Sequence, residues 1–310
     1  MTRTRTSWLW LALRVGITLG AFGYLFSRVP LGTLWDAAVE IPFTAELAVF
    51  ALLFVGTGLG TVRWRVLLVA CGGTRVPGWA RLFRLVMIGT FYNQFVPGAV
   101  GGDIVRGIAT AGTFPDGGVT RALAVILLDR IMGFAGLLSL ASLAFALHPI
   151  ESIQGFTTWI AIGAGVATVG VLMVSTAGRF AARLPQPLGR FAARLPDVRS
   201  PGALVIAWML SLGTHGTLVV MGHLLVSSLS PTVPWTGSLV AMPVSNLAAY
   251  FPLTVGGAGA WEAAITWLYT QVGVSHADGL AAALVLRLVY LLLAAIGGIV
   301  AVAHPIREGA

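Results

Sequence analysis

FYNQFVPGAVGGDIVR, residues 91–106, decides how this chain is read. Residues 81–95 lead into it as an apolar stretch that predicts a helix. Pro97, Gly98, Gly101 and Gly102 then interrupt the helix, and Asp103 and Arg106 follow at once. In a bilayer, a broken helix with charges behind it survives only where protein or a water-filled cavity surrounds the break. The pattern returns in YFPLTVGGAGAWE, residues 250–262. Its P-x-x-V-G-G run, from Pro252 to Gly256 and Gly257, repeats Pro97 to Gly102 at an offset of 155 residues, half of the 310 in the chain. These stretches predict one integral membrane domain over 1–310, with pseudo-repeats 1–155 and 156–310, each organised around one broken helix.

Composition agrees with a membrane setting. The chain is 57% hydrophobic and 10% charged, where a soluble domain carries about a quarter charged residues. Its net charge of +8 comes from arginine, with no lysine. In a membrane protein that excess marks cytoplasmic loops, not a nucleic-acid surface. The single cysteine, Cys71, excludes an intrachain disulfide and a cysteine metal centre. The N-terminal apolar run, continuing to about Phe26, is expected to be an uncleaved first span.

Six stretches are long enough to cross the hydrocarbon core: 8–26, 43–62, 120–147, 157–176, 202–229 and 278–303. Two more, 81–110 and 236–272, carry the breaks. Residues 29–41 read as an interfacial helix or an ordinary loop. The arginine-rich 178–200 stretch, with FAARLP at 180–185 and again at 191–196, reads as a surface connector or a solvated loop. If the broken stretches cross fully, the arginines of 178–200 fall outside, against the positive-inside bias. If both return to the side they entered from, fifteen loop and flanking arginines lie inside and only Arg28 outside. The expected fold is therefore an all-α polytopic membrane protein of about six full transmembrane helices plus two re-entrant helical hairpins in an inverted repeat. Both termini are expected to be cytoplasmic. Broken helices meeting near the midplane are a plan many transporters share.

Arg130 and Arg287, 157 residues apart, each fall in the last span of a half. Each lies about 15 Å deep at 1.5 Å per residue, too deep to reach the interface easily. Burying an arginine there costs about 2.5–3.5 kcal/mol on insertion scales, so a partner is required. One reading is a cationic cavity that receives a lipid phosphate through the guanidinium fork. The other is a structural ion pair with Asp103, Asp129 or Glu262. Gly101, Gly102, Gly256 and Gly257 would let a headgroup approach backbone N–H groups at half-helix N-termini, near Gly102 and Gly259. Asp103 and Glu262 then either pair with the arginines or bind a cationic group or coupling proton. Asn93, Gln94, Asn246 and Tyr250 flank the breaks, where side chains satisfy freed backbone groups or touch a headgroup. His215 and His223 bond a neighbouring helix or relay protons. No nucleotide-type phosphate loop, paired-histidine metal motif or nucleophile–base cluster occurs, so no cofactor or metal is expected.

FYNQFVPGAVGGDIVRG, LLDRIMG at 127–133 and FPLTVGGAGAWEAA at 251–264 resemble the lysylphosphatidylglycerol synthase transmembrane-region, or flippase-like, family. Asp103, Arg106, Asp129, Arg130 and Glu262 sit at the matching motif positions. The resemblance implies a plasma-membrane protein associated with moving lipids between leaflets. The chain ends at Ala310 without a soluble domain, so aminoacyl transfer is not expected and the chain is read as no enzyme. Expected partners are membrane lipids, an anionic phospholipid or polyprenyl phosphate, with a second copy or a separate synthase as protein partner. The competing function is a membrane-embedded transferase, or its accessory subunit, acting on a lipid-linked sugar or prenyl phosphate.

Overall fold

The structure, a computed structural model, describes residues 3–95, 101–114, 118–147, 154–180, 183, 185–186, 198, 200–250, 254 and 257–304. Among these it contains eleven α-helices: α1 (Arg3–Arg28), α2 (Leu31–Glu40), α3 (Phe43–Ala70), α4 (Trp79–Phe95), α5 (Gly101–Ala109), α6 (Gly118–Leu147), α7 (Gln154–Phe180), α8 (Pro201–Leu229), α9 (Trp235–Tyr250), α10 (Ala260–Thr270) and α11 (His276–Ala303). A single 3₁₀ turn, Ala111–Thr113, follows α5. Each of the six expected spans lies inside one of the long helices. Four of these, α3, α6, α8 and α11, combine the length and apolarity a membrane crossing needs, and Thr157–Met173 in α7 forms a shorter apolar run.

Helix boundaries follow local chemistry. Pro30 and Pro42 immediately precede α2 and α3, and Pro201 opens α8, all positions where a missing N–H costs nothing. The Ser275 hydroxyl caps α11 by accepting from Asp278 N at 3.1 Å, and Asp278 in turn accepts from Ser230 at the end of α8. Residues 31–40 form a helix, not a loop. Leu34 and Ala37 of α2 are buried against α1 and α11, while Leu31, Trp35 and Val39 are exposed on its other side.

Both broken stretches are helix pairs. α4 packs on α5, and α9 packs on α10. The expected tips at Pro97 and Gly98, and at Pro252 and Gly256, lie outside the described residues, as does most of 178–200. The helix pairs also cross over: α4 lies against α11, and α9 lies against α6. Between them α3 and α8 share the most extensive helix contact among the described residues. Gly56 of α3 allows this approach, because a Cβ there would sit 2.6 Å from Thr217 Oγ1 of α8.

Candidate functional site

Two glycines set the hairpins. A Cβ on Gly102 would run into the carbonyl of Gly89, so α5 can lie on α4 only with glycine at that position. The Gly102 N–H, freed at the start of α5, donates to Asn93 Oδ1 at 2.9 Å. In the second pair Gly259 takes φ 84°, a left-handed conformation that favours glycine, and a Cβ there would also lie 2.7 Å from Ala21 of α1. Its N–H donates to Glu262 Oε2 at 2.7 Å. The helix N-termini thus begin where the sequence expects, but these two N–H groups are filled by the chain's own side chains.

Each half-helix acid meets the arginine of the following long helix. Asp103 of α5 pairs with Arg130 Nε of α6, and Glu262 of α10 pairs with Arg287 Nε of α11. Three further charges, Arg63, Arg106 and Asp129, join the first pair. Arg63 of α3 donates to Asp129 Oδ1 at 2.8 Å and to Ser211 of α8 at 3.0 Å. Arg106 reaches Asp129 at 3.4 Å and Asp103 at 3.7 Å, with its guanidinium 4.0 Å above the Trp64 ring. Gly133 makes room for Arg63, since a Cβ there would lie 3.3 Å from Nη1. His215 bonds the Gly133 carbonyl at 3.0 Å, and His223 bonds Ser238 of α9 at 3.0 Å, so each histidine ties two helices together.

This polar layer closes one end of a cavity of about 230 Å³ between α3, α4, α8 and α11. On α3 the wall runs Leu53, Gly56, Thr57, Gly60, Arg63, a single helical face about 15 Å long at 1.5 Å per residue. Leu53, Val86, Met221 and Leu293 make its apolar end; Arg63, Arg106 and Asp129 make the charged end. Drug-sized ligand pockets run from roughly 300 Å³ upward, so this one is sized for a headgroup and not a whole lipid.

Among the expected site residues, the structure gathers Asp103, Arg106, Asp129 and Arg130 into one cluster and sets Glu262 and Arg287 apart in another. Gly102 and Gly257 are buried hairpin positions, and Gly101 begins α5. Arg63 lies outside the expected site, because the span expected over 43–62 stops just before it and an arginine beyond a span reads as a loop charge. α3 continues to Ala70, and Arg63 sits on its buried face with its side chain 12% exposed. The signal was the apolar VLLVA run at 66–70 resuming after Arg65, with Gly56, Gly60 and Arg63 at helical spacing.

A multi-helix membrane protein with paired charges buried between its helices and a cavity graded from apolar to cationic belongs to the class of polytopic membrane domains. Residues 11–298 match the family model described as lysylphosphatidylglycerol synthase TM region, and the chain belongs to that family. The matched model is that of the transmembrane region, not of the catalytic synthase domain. No curated protein matches the chain.

Proposed function

We propose that this protein moves a phosphate-bearing lipid between the leaflets of the plasma membrane without ATP hydrolysis. The observation that carries the reading is the cavity whose wall passes from Leu53 to Arg63 along one helix face. A headgroup would occupy the Arg63–Arg106 end while the acyl chains remain in lipid. Family membership supports a lipid role.

In this reading α4–α5 and α9–α10 are re-entrant hairpins entering from opposite sides. Helix α5, with nine residues, is about 14 Å long, half of what a crossing needs. The crosswise packing of α4 on α11 and α9 on α6 is what two inverted repeats exchanging equivalent elements would produce. Both termini are then cytoplasmic. Cys71 is fully buried and would not report the side. An Arg75→Cys variant on a Cys71→Ala background should be labelled by impermeant maleimide in inverted vesicles only.

The activity is tested with purified protein in liposomes containing a tail-labelled anionic phospholipid. An impermeant reductant destroys the outer-leaflet label. Protein-free vesicles should stop near half, and protein-containing vesicles should go well beyond. A half-plateau for every lipid tried, with and without a proton gradient, would shift the reading to a membrane-embedded transferase or its accessory subunit.

A further inference from the structure

The charge at the polar end of the cavity can be counted. Among the described residues Arg63, Arg106 and Arg130 connect with Asp103 and Asp129, three positive groups against two negative, for a formal charge of +1. Asp103 pairs with Arg130 in an arrangement that Glu262 and Arg287 also make. Asp129 has no such counterpart, because the residue before Arg287 is Leu286. Asp129 itself lines the cavity, between Arg63 at 2.8 Å and Arg106 at 3.4 Å. The threonine hydroxyls of the wall add no donors. Thr57, Thr90, Thr214 and Thr217 each donate to a helix carbonyl at 2.7–3.0 Å, which leaves them only lone pairs to offer. What an entering anion gains from the arginines therefore depends on how much of their charge Asp129 cancels.

Resting on the lipid-moving reading above, we infer that this site is charge-matched to a phosphodiester headgroup with one net negative charge and that Asp129 sets the match. A diester carries one negative charge, which the cluster neutralises. A terminal phosphate monoester carries about −1.5 to −2 at neutral pH and would leave a net negative charge away from water, which is costly. Arg106 is the cation that turns to the ligand. Its two carboxylate contacts are long, its Nε is buried without a hydrogen-bond partner among the described residues, and the Trp64 face holds the guanidinium in place. Arg63 stays with Asp129 and Ser211. The ligand thus trades places with a carboxylate already present, and Asp129 keeps binding weak enough for release on the far side.

The test compares tail-labelled phosphatidylglycerol, a diester with one net negative charge, with tail-labelled phosphatidic acid, a monoester, and tail-labelled phosphatidylcholine, a diester whose choline makes it net neutral, in the liposome assay. The wild-type protein should move phosphatidylglycerol at least about tenfold faster than the other two, the low end of what one mismatched charge costs at close range. Asp129→Asn keeps the shape, raises the cluster to +2 and should shift preference at least about tenfold towards the monoester. Arg106→Gln loses two long carboxylate contacts and the stacking on Trp64, lowers the cluster to zero and should shift preference towards phosphatidylcholine. It supplies the same test if Asp129→Asn yields no folded protein. A wild-type protein that moves no lipid sinks the lipid-moving reading and this inference with it. Equal movement of all three lipids, or variants that slow them all alike, overturns the charge match while the lipid-moving reading stands.

Discussion

The helix pairs α4–α5 and α9–α10 share one device and differ in everything around it. In each, an acid in the first turn of the second helix pairs with an arginine one long helix further on. In the second, that pair is sealed. Glu262 is completely buried, both its oxygens are used, and Arg287 lies 5.0 Å from the Trp261 ring. In the first, Arg130 is 41% exposed and Asp103 is shared with Arg106. The positions that would extend the second cluster are apolar: Ile265 three residues after Glu262, and Leu286 before Arg287, both buried. An arrangement present twice is most simply a lock on the helices, since each hairpin needs one. Charges present once, Arg63, Arg106 and Asp129, are not needed to hold a hairpin, and these are the ones that face the cavity.

The contrast can be broken at its strongest point. Glu262→Ala takes the acid away from a buried guanidinium and the side-chain acceptor away from the Gly259 N–H, and should cost about 3–5 kcal/mol, seen as a collapse of monodisperse yield and thermal stability in detergent. A stable variant would mean the second pair is no lock. Gly102→Ala should cost about 3 kcal/mol, the upper end for overpacking, because the obstacle is the backbone carbonyl of Gly89 rather than a movable side chain. Arg130→Ala should cost far less than Glu262→Ala, roughly 1 kcal/mol, since its charge is partly hydrated and Asp103 keeps Arg106 nearby. Equal losses from these two variants would erase the distinction between the halves. His223→Ala should be the mildest, below about 1 kcal/mol, because Tyr269 still donates to Ser238. It should also leave lipid movement unchanged. A loss of movement there would place chemistry in the second half.

Much of this was legible in the chain because membranes punish ambiguity. Long apolar runs have little choice but helix, and Pro97, Gly101, Pro252 and Gly257 marked the breaks without an alignment. The need of Arg130 and Arg287 for partners followed from desolvation alone, and so did the short list of acids. Which acid meets which arginine depended on helix rotation and depth, which one-dimensional spacing does not encode. Arg63 escaped because charge is read as the end of a span, whereas this arginine is buried by partners 66 and 148 residues away. The cavity was hidden for the same reason: its walls come from six helices, and no window of sequence contains more than a strip of it.

The crossed packing has a consequence for how the protein is made. Helix α4 meets α11 so closely that a Cβ on Gly297 would strike the carbonyl of Met87, and Arg63 donates one of its hydrogen bonds to Ser211 on α8. During synthesis α4 and Arg63 therefore enter the bilayer long before the surfaces that complete them exist. The nascent first half must wait with an uncovered helix face and an underserved cation until the last helix emerges. In that interval it is a natural target for membrane quality-control proteases and a natural client for an insertase that shelters polar groups. Completion of the α4 surface and of the Arg63 site therefore depends on helices made late in translation.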